Sequence, residues 1–160
     1  MQGQPEYHGG CQCGAIRFEA RGALTDSSIC HCRMCQKAFG GYYAPLVSVR
    51  GVQFSWTRGQ PRYFQSSNVV RRGFCGDCGT PLTYEAPDGM AVAAGAFDEP
   101  ERLPPTRQYG MERKLPFVDG LGQLPSSRTE EDVEALEFLA TVVSHQHPDH
   151  DTPHWPARSR

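Results

Sequence analysis

The sequence predicts a mainly β protein, stapled by bound metal, with one helix near its C-terminus. Three observations lead there. Short runs that alternate apolar with polar residues recur between glycines and prolines, which is the period of half-buried strands joined by tight turns. All seven cysteines fall in three tight clusters, Cys11-Gln12-Cys13, Cys30-His31-Cys32-Arg33-Met34-Cys35 and Cys75-Gly76-Asp77-Cys78. One stretch alone, residues 129–143, holds helical spacing over several turns. A chain of 160 residues with 38% apolar content is expected to form a single domain, 1–160, around a modest core.

Taken in order, residues 1–10 read as polar and flexible, ending in Gly9-Gly10, which lets the backbone turn at the first cysteine pair. Ala15 to Ala20 alternates apolar with charged residues and reads as a strand. Arg33 to Phe39 can form a short helical turn before Gly40-Gly41 stops it. Tyr42 to Val49 and the alternating Val52, Phe54 and Trp56 read as two strands, and Arg62–Gln65 and Val69–Phe74 as two more, the last delivering Cys75 at its end. Thr83 to Glu85 and Met90 to Ala94 flank the turn Pro87-Asp88-Gly89. Residues 98–128, rich in Pro and Gly, are expected to wrap over the sheet as ordered loop, anchored by Tyr109, Leu115 and Phe117. Thr129-Glu130-Glu131-Asp132 looks like a capped, acidic helix start, continued by Val133, Leu136, Ala140 and Val143. Residues 145–160 read as a polar tail, solvated or loosely docked.

Composition narrows the class. No apolar run approaches the roughly 18 residues of a membrane span, and Met1 to Pro5 has no basic region followed by an apolar segment, so a cytoplasmic protein is expected. In a reducing compartment, clustered thiols bind metal more often than they form disulfides, and an odd number of them argues the same way. The net charge of -2 hides an asymmetry: residues 1–80 carry nine Lys/Arg against four Asp/Glu, residues 81–160 seven against fourteen. The front half stays mildly positive after thiolates and two divalent ions are counted. That suits a small anionic substrate and is too weak for DNA.

The cysteine count divides as four plus three. Two pairs, Cys11/Cys13 and Cys75/Cys78, supply the four ligands of a closed structural zinc, whereas Cys30, Cys32 and Cys35 supply three, the number used by a catalytic zinc with an exchangeable position. A metal with an open position can take an incoming thiol, lower its pKa and hold the thiolate beside an electrophile. The competing readings are a closed site completed by His31 or a distant histidine, and reduced cysteines without metal. His31 faces away from its neighbours if the backbone there is extended, which makes it a supporting or pocket residue. The tail from His145 to His154 is a third metal candidate, and Arg71, Arg72, Arg33 and Lys37 are candidates for receiving substrate carboxylates. Spacing alone places no general acid or base.

The order CxC, then CHCxxC followed by Gln36-Lys37-Ala38-Phe39-Gly40, then Phe74-CxxC-Gly79-Thr80, resembles the glutathione-dependent formaldehyde-activating family, which includes the centromere protein V group. The resemblance covers residues 8 to about 120. It implies a β-tent of small antiparallel sheets with two zinc ions per chain. By the same resemblance, Cys11, Cys13, Cys75 and Cys78 are the structural ligands and Cys30, Cys32 and Cys35 the catalytic ones. It further implies a carbon–sulfur lyase that joins glutathione, as the small-molecule thiol partner, to formaldehyde. One departure stands out: where members often carry a histidine and, several residues later, a tryptophan, this chain has Gln108 and Phe117.

Three functions compete on these residues: a zinc-dependent carbon–sulfur lyase acting on a thiol adduct, a non-catalytic zinc module for protein or nucleic-acid interaction, and a zinc-linked redox sensor. The absence of a long basic tail and the sheet-like alternation of the aromatics speak against nucleic acid.

Overall fold

A computed structural model describes residues 3–155. The expectations for Met1-Gln2 and for the last five residues of the tail lie outside the described residues. Ten strands fall in two open sheets. The smaller is built from β1 (Glu6–Gly10), β2 (Arg17–Arg21) and β5 (Gln53–Arg58), in the order β1-β2-β5. The larger has seven strands: β3 (Ser27–Cys30), β4 (Ala44–Ser48), β6 (Arg62–Gln65), β7 (Arg71–Phe74), β8 (Pro81–Ala86), β9 (Gly89–Ala93) and β10 (Arg107–Tyr109), in the order β10-β3-β4-β9-β8-β7-β6. Two α-helices, α1 (Arg33–Phe39) and α2 (Val133–Leu139), and five short 3-10 helices complete the described residues.

The fold is therefore a mixed α/β one, and the expectation of a mainly β tent of small antiparallel sheets with one C-terminal helix is corrected on three counts. The short turn at Arg33 is a genuine helix, because Cys32 is extended (φ -61°, ψ 152°) and its sulfur accepts the Cys35 N–H, while Gly40 closes the far end by donating to the Gln36 carbonyl. The sequence marked this turn and its glycine stop, and seven residues are too few for an amphipathic period to raise it to a helix. The larger sheet is also wide, and β10 runs parallel to β3. Its three residues are exposed and sit in a segment punctuated by Pro and Gly, which gave no strand signal. Finally, the helix expected over 129–143 is shorter: Thr129–Glu131 forms a 3-10 turn, Asp132 caps α2 by accepting the Ala135 N–H, and the helix stops at Leu139. Its apolar residues stay largely exposed, Val133 at 72% and Phe138 at 67%.

Residues 6–10, read as flexible from composition, form β1. Gly9 lies within β1 because Phe18 of the neighbouring strand fills the space above it; a Cβ there would sit 2.3 Å from the Phe18 ring and from the Ala96 carbonyl oxygen. Phe18 is the hub of the core. It is fully buried and packs on Phe97 (centroids 5.1 Å), Phe54 (5.4 Å) and Trp56 (6.0 Å), with Leu82, Val47 and Val92 buried nearby. Burial of one such ring contributes about 1.5–3 kcal/mol. Cys11 and Cys75 belong to this core, whereas Cys35, Ala44 and Leu46 form a second, smaller cluster. No helix among the described residues is long and apolar enough to cross a membrane.

Candidate metal centres

The strand ends carry the thiols. Cys11 follows β1 and leads through a turn to β2, closed by the Gly14 N–H on the Cys11 carbonyl (3.0 Å). Cys75 follows β7, and the Gly79 N–H returns to its carbonyl (2.9 Å) before β8 begins. The antiparallel pairing of β1 with β2 and of β7 with β8 thus turns residues 62 or more apart in sequence toward each other.

The sulfurs of Cys11, Cys13, Cys75 and Cys78 lie within 4.8 Å of one another. Cys11 Sγ is 3.6 Å from Cys13 Sγ, which is 3.8 Å from Cys75 Sγ. A tetrahedral zinc with bonds of about 2.3 Å to sulfur sets its ligands about 3.8 Å apart, so the donor set fits that ion. Backbone N–H groups of Ile16 and Asp77 point at Cys11 Sγ (3.3 Å) and Cys75 Sγ (3.4 Å), donors that would support thiolates held by a metal.

The second group, Cys30, Cys32 and Cys35, also has its sulfurs within 4.8 Å. Cys30 ends β3, Cys32 caps α1, and Cys35 lies in the first turn of that helix. Buried Gln36 fixes the loop by donating to the carbonyls of His31 (2.8 Å) and Arg113 (3.1 Å). The three sulfurs border a cavity of about 430 Å³ that Arg72, Tyr84 and Tyr109 also line. The cavity beside the four-thiol group is bounded by Arg17, Asp98 and the tail residues 146–149, and four sulfurs there leave no ligand position to fill.

The thiols of each group differ in proton affinity. Burial pushes Cys30 up to about 12 and Cys11 well up. Burial also raises Cys78, but hydrogen bonds from the Thr80 side chain and backbone outweigh it and hold this thiol down at about 6. Cys32 is lowered in the same way: burial works against the charge, and the Cys35 N–H and neighbouring sulfurs more than offset it. Each group thus combines a thiol shifted down, Cys78 or Cys32, with a thiol shifted up by burial, Cys11 or Cys30, and a divalent ion would displace protons from such a set.

His31 is fully buried, bonded through Nε2 to Gln108 Oε1 (2.9 Å), and its ring packs on Tyr43; it belongs to neither sulfur group. Gln108, the departure singled out in the sequence, therefore supports the loop, while its neighbour Tyr109 lines the cavity. Phe117 packs edge-on against Tyr42. Arg71 pairs with Glu85 (2.8 Å) and Arg33 with Gln36 Oε1 (3.1 Å), so neither faces the cavity. Arg72 does. It stands three residues before Cys75 in sequence, yet its Nη2 reaches Cys35 Sγ (3.4 Å) of the other group.

The histidines of the tail form no metal group among the described residues. The tail instead docks beside the four-thiol group: His147 N–H donates to the Gln12 carbonyl (2.7 Å), Trp155 Nε1 to the Cys13 carbonyl (2.7 Å), and Arg58 Nη2 donates to Thr152 Oγ1 (3.2 Å). Sequence reasoning missed a further group, Glu6, His8 and Glu19. Its members are spread among Arg21 and Asp151, and it reads as an ion-pair network on the outward side chains of β1 and β2.

A model of the family "Glutathione-dependent formaldehyde-activating enzyme" matches residues 6–112. The chain belongs to that family. The match contains all seven cysteines and ends before α2 and the tail. At the family level the likeness is to a lyase-type domain: a protein of Schizosaccharomyces pombe described as an uncharacterized lyase is 31% identical over 85 residues, 53% of this chain and 61% of that protein. The chain thus spans about three fifths of the length of this relative. A solved structure of a Rhodobacter sphaeroides protein is similar with a TM-score of 0.49 and 21% identity, over 63% of this chain and 98% of the other.

Proposed function

We propose that the chain binds two zinc ions, a structural one at Cys11, Cys13, Cys75 and Cys78 and a reactive one at Cys30, Cys32 and Cys35, and joins a small thiol to a small aldehyde. The observation that carries this reading is the placement of the three-sulfur group, and not the four-sulfur group, on a cavity with a ligand position to spare. By family, the thiol is glutathione and the aldehyde formaldehyde.

A zinc ion held by Cys30, Cys32 and Cys35 would supply a Lewis acid able to lower the pKa of an incoming thiol. The residues of the chain do the rest. Cys30, Cys32 and Cys35 are held on β3 and α1, a rigid corner that Gln36 and the Gly110 segment brace. Tyr84, Tyr109 and Met34 line the cavity and give a bound thiol apolar surface to rest on. In the reaction a thiolate sulfur attacks the aldehyde carbon, the C–S bond forms, the carbonyl π pair moves to oxygen, and that oxygen takes one proton from solvent. Proximity of the two reactants in one cavity is the main acceleration available.

A second reading is a zinc-binding module without catalysis. Family membership and thiol groups able to hold a metal already satisfy it, and the exposed apolar face of α2 would give such a module a contact surface. Zinc stoichiometry with zinc-edge X-ray absorption, without and with glutathione, separates the two. Two ions, one of which gains a sulfur ligand on adding glutathione, are expected for thiol capture. Two sites unchanged by glutathione would leave only the module.

A further inference from the structure

Arg72 is the residue of this cavity that the functional reading has not used. It is 7% exposed, on β7, with three strands between it and β3 in the order of the sheet, yet α1 lies so that the guanidinium meets the three-sulfur group. Its Nε donates to Ser66 Oγ (3.1 Å), its Nη2 to Cys35 Sγ (3.4 Å), and its plane lies 5.1 Å from the Tyr84 ring centroid. The remaining nitrogen, Nη1, is buried and has no hydrogen-bond partner among the described residues. The other arginine on the cavity, Arg50, has Asp88 as counterion at 3.7 Å. Arg72 has no carboxylate partner among the described residues, so the sulfurs are the negative charge it faces.

An arginine does not shed its proton, and burying one without a carboxylate is costly unless other negative charge compensates it. Three thiolates around a divalent ion carry one net negative charge. A further anionic ligand would add to that charge, whereas a neutral ligand would not. A fixed positive charge beside Cys35 would bring such a group to neutrality before a fourth ligand arrives.

We propose that Arg72 is a positioning residue that makes the three-sulfur site select an anionic thiolate over a neutral fourth ligand. It acts through Cys35, holding that sulfur and offsetting the charge of the group. The inference rests on the thiol-capture reading above and names what that reading leaves open: the property of this chain that sets ligand charge preference.

The test uses the full chain loaded with cobalt, whose absorption reports each new sulfur ligand. The wild type, Arg72→Gln and Arg72→Lys are titrated with 2-mercaptoethanol, which has no carboxylate to bind an arginine directly, and with imidazole, which is neutral. A unit charge a few ångströms from a partly buried sulfur interacts at several RT, so Arg72→Gln is expected to weaken thiol binding about tenfold or more, with imidazole changed less than about twofold. Arg72→Lys is expected to recover most of the loss, because it keeps the charge and gives up the fork. Equal weakening of both ligands in Arg72→Gln, no weakening of either, or failure of Arg72→Lys to recover thiol binding overturns the proposal and assigns Arg72 to packing. A wild type that takes up imidazole but no thiol overturns it too, and in addition sinks the thiol-capture reading, which the variants alone would leave standing.

Discussion

Asp151, in the tail, accepts a hydrogen bond from the Nε of Arg17 in β2 (2.9 Å) and lies 2.8 Å from its Nη2. Arg17 is 3% exposed and also pairs through Nη1 with Asp98 (2.8 Å), whose side chain is 10% exposed. The tail is thus tied to a buried cation and not merely laid on the surface.

The two carboxylates are expected to differ in worth. Removing Asp98 leaves a buried guanidinium with only its exposed partner, so Asp98→Asn should lower unfolding stability by about 3 kcal/mol. Asp151 is 46% exposed and screened by water, so Asp151→Asn should cost well under about 1 kcal/mol globally. It should nevertheless free the tail, seen as faster proteolysis after residue 144. Urea denaturation and limited digestion of the two variants check both statements, and equal global losses would contradict the assignment of Asp98 as the principal partner.

Tail docking should weaken as pH falls. His147 is shifted below its ordinary value of 6.5, chiefly because burial disfavours the imidazolium, so its contribution is present above 6.5 and fades as pH drops through the folded value. Asp151 follows at lower pH. Burial works to raise it, but Arg17 and His8 more than offset this and hold it below 3.8, so its contribution is present above 3.8 and is lost only as pH falls through the depressed folded value. Fluorescence of Trp155 in a Trp56→Phe background, followed from pH 8 downward, should change in two steps, the first near or below 6.5. A single step confined to the carboxylate range would remove His147 from the account.

The two sulfur groups should fail differently. Cys78→Ser removes a ligand from a group that joins β1–β2 to β7–β8 and shares residues with the main core. Loss of both the ion and the fold's staple is expected, with a stability loss of several kcal/mol on the scale of about 10–16 kcal/mol for structural zinc. Cys32→Ser should leave the main core intact and reduce zinc from two ions to one, since Cys32 only flanks the smaller cluster. Metal analysis with thermal unfolding distinguishes them; equal destabilisation would contradict the division into a structural and a reactive site.

The grouping of the cysteines was largely written in their spacing, because thiols one or two residues apart on a turn bring their sulfurs together whatever fold carries them. The strands β5 and β6 were equally legible, since Phe54 and Trp56 alternate and Arg62–Gln65 is bounded by turn residues. What escaped were contacts whose meaning is purely tertiary. Arg72 looks like a neighbour of Cys75, and only the path of α1 over the sheet sends it to Cys35. β10 is three exposed residues that become a strand because β3 offers an edge. The tail reads as solvated or loosely docked because His147, Asp151 and Thr152 are polar, and it is the partners of these residues, buried or half-buried, that composition does not show.

The join between β10 and the three-sulfur group depends on one residue without a side chain. Gly110 has φ +65°, in the left-handed region, and a Cβ there would lie 2.7 Å from the Cys32 backbone nitrogen and 3.2 Å from its Cα. Gly110→Ala should therefore cost about 1–2 kcal/mol for the conformation alone, and the backbone clash should push β10 away from Cys32. Gly120→Ala is the control, since its Cβ would meet nothing within 4 Å. The expected result is that Gly110→Ala loses metal from the three-sulfur group while the four-sulfur group stays loaded, and that Gly120→Ala behaves as wild type. If both variants keep two ions and the same thiol affinity, the β10 turn does not set the geometry of Cys32, and the corner of β3 and α1 holds that group alone.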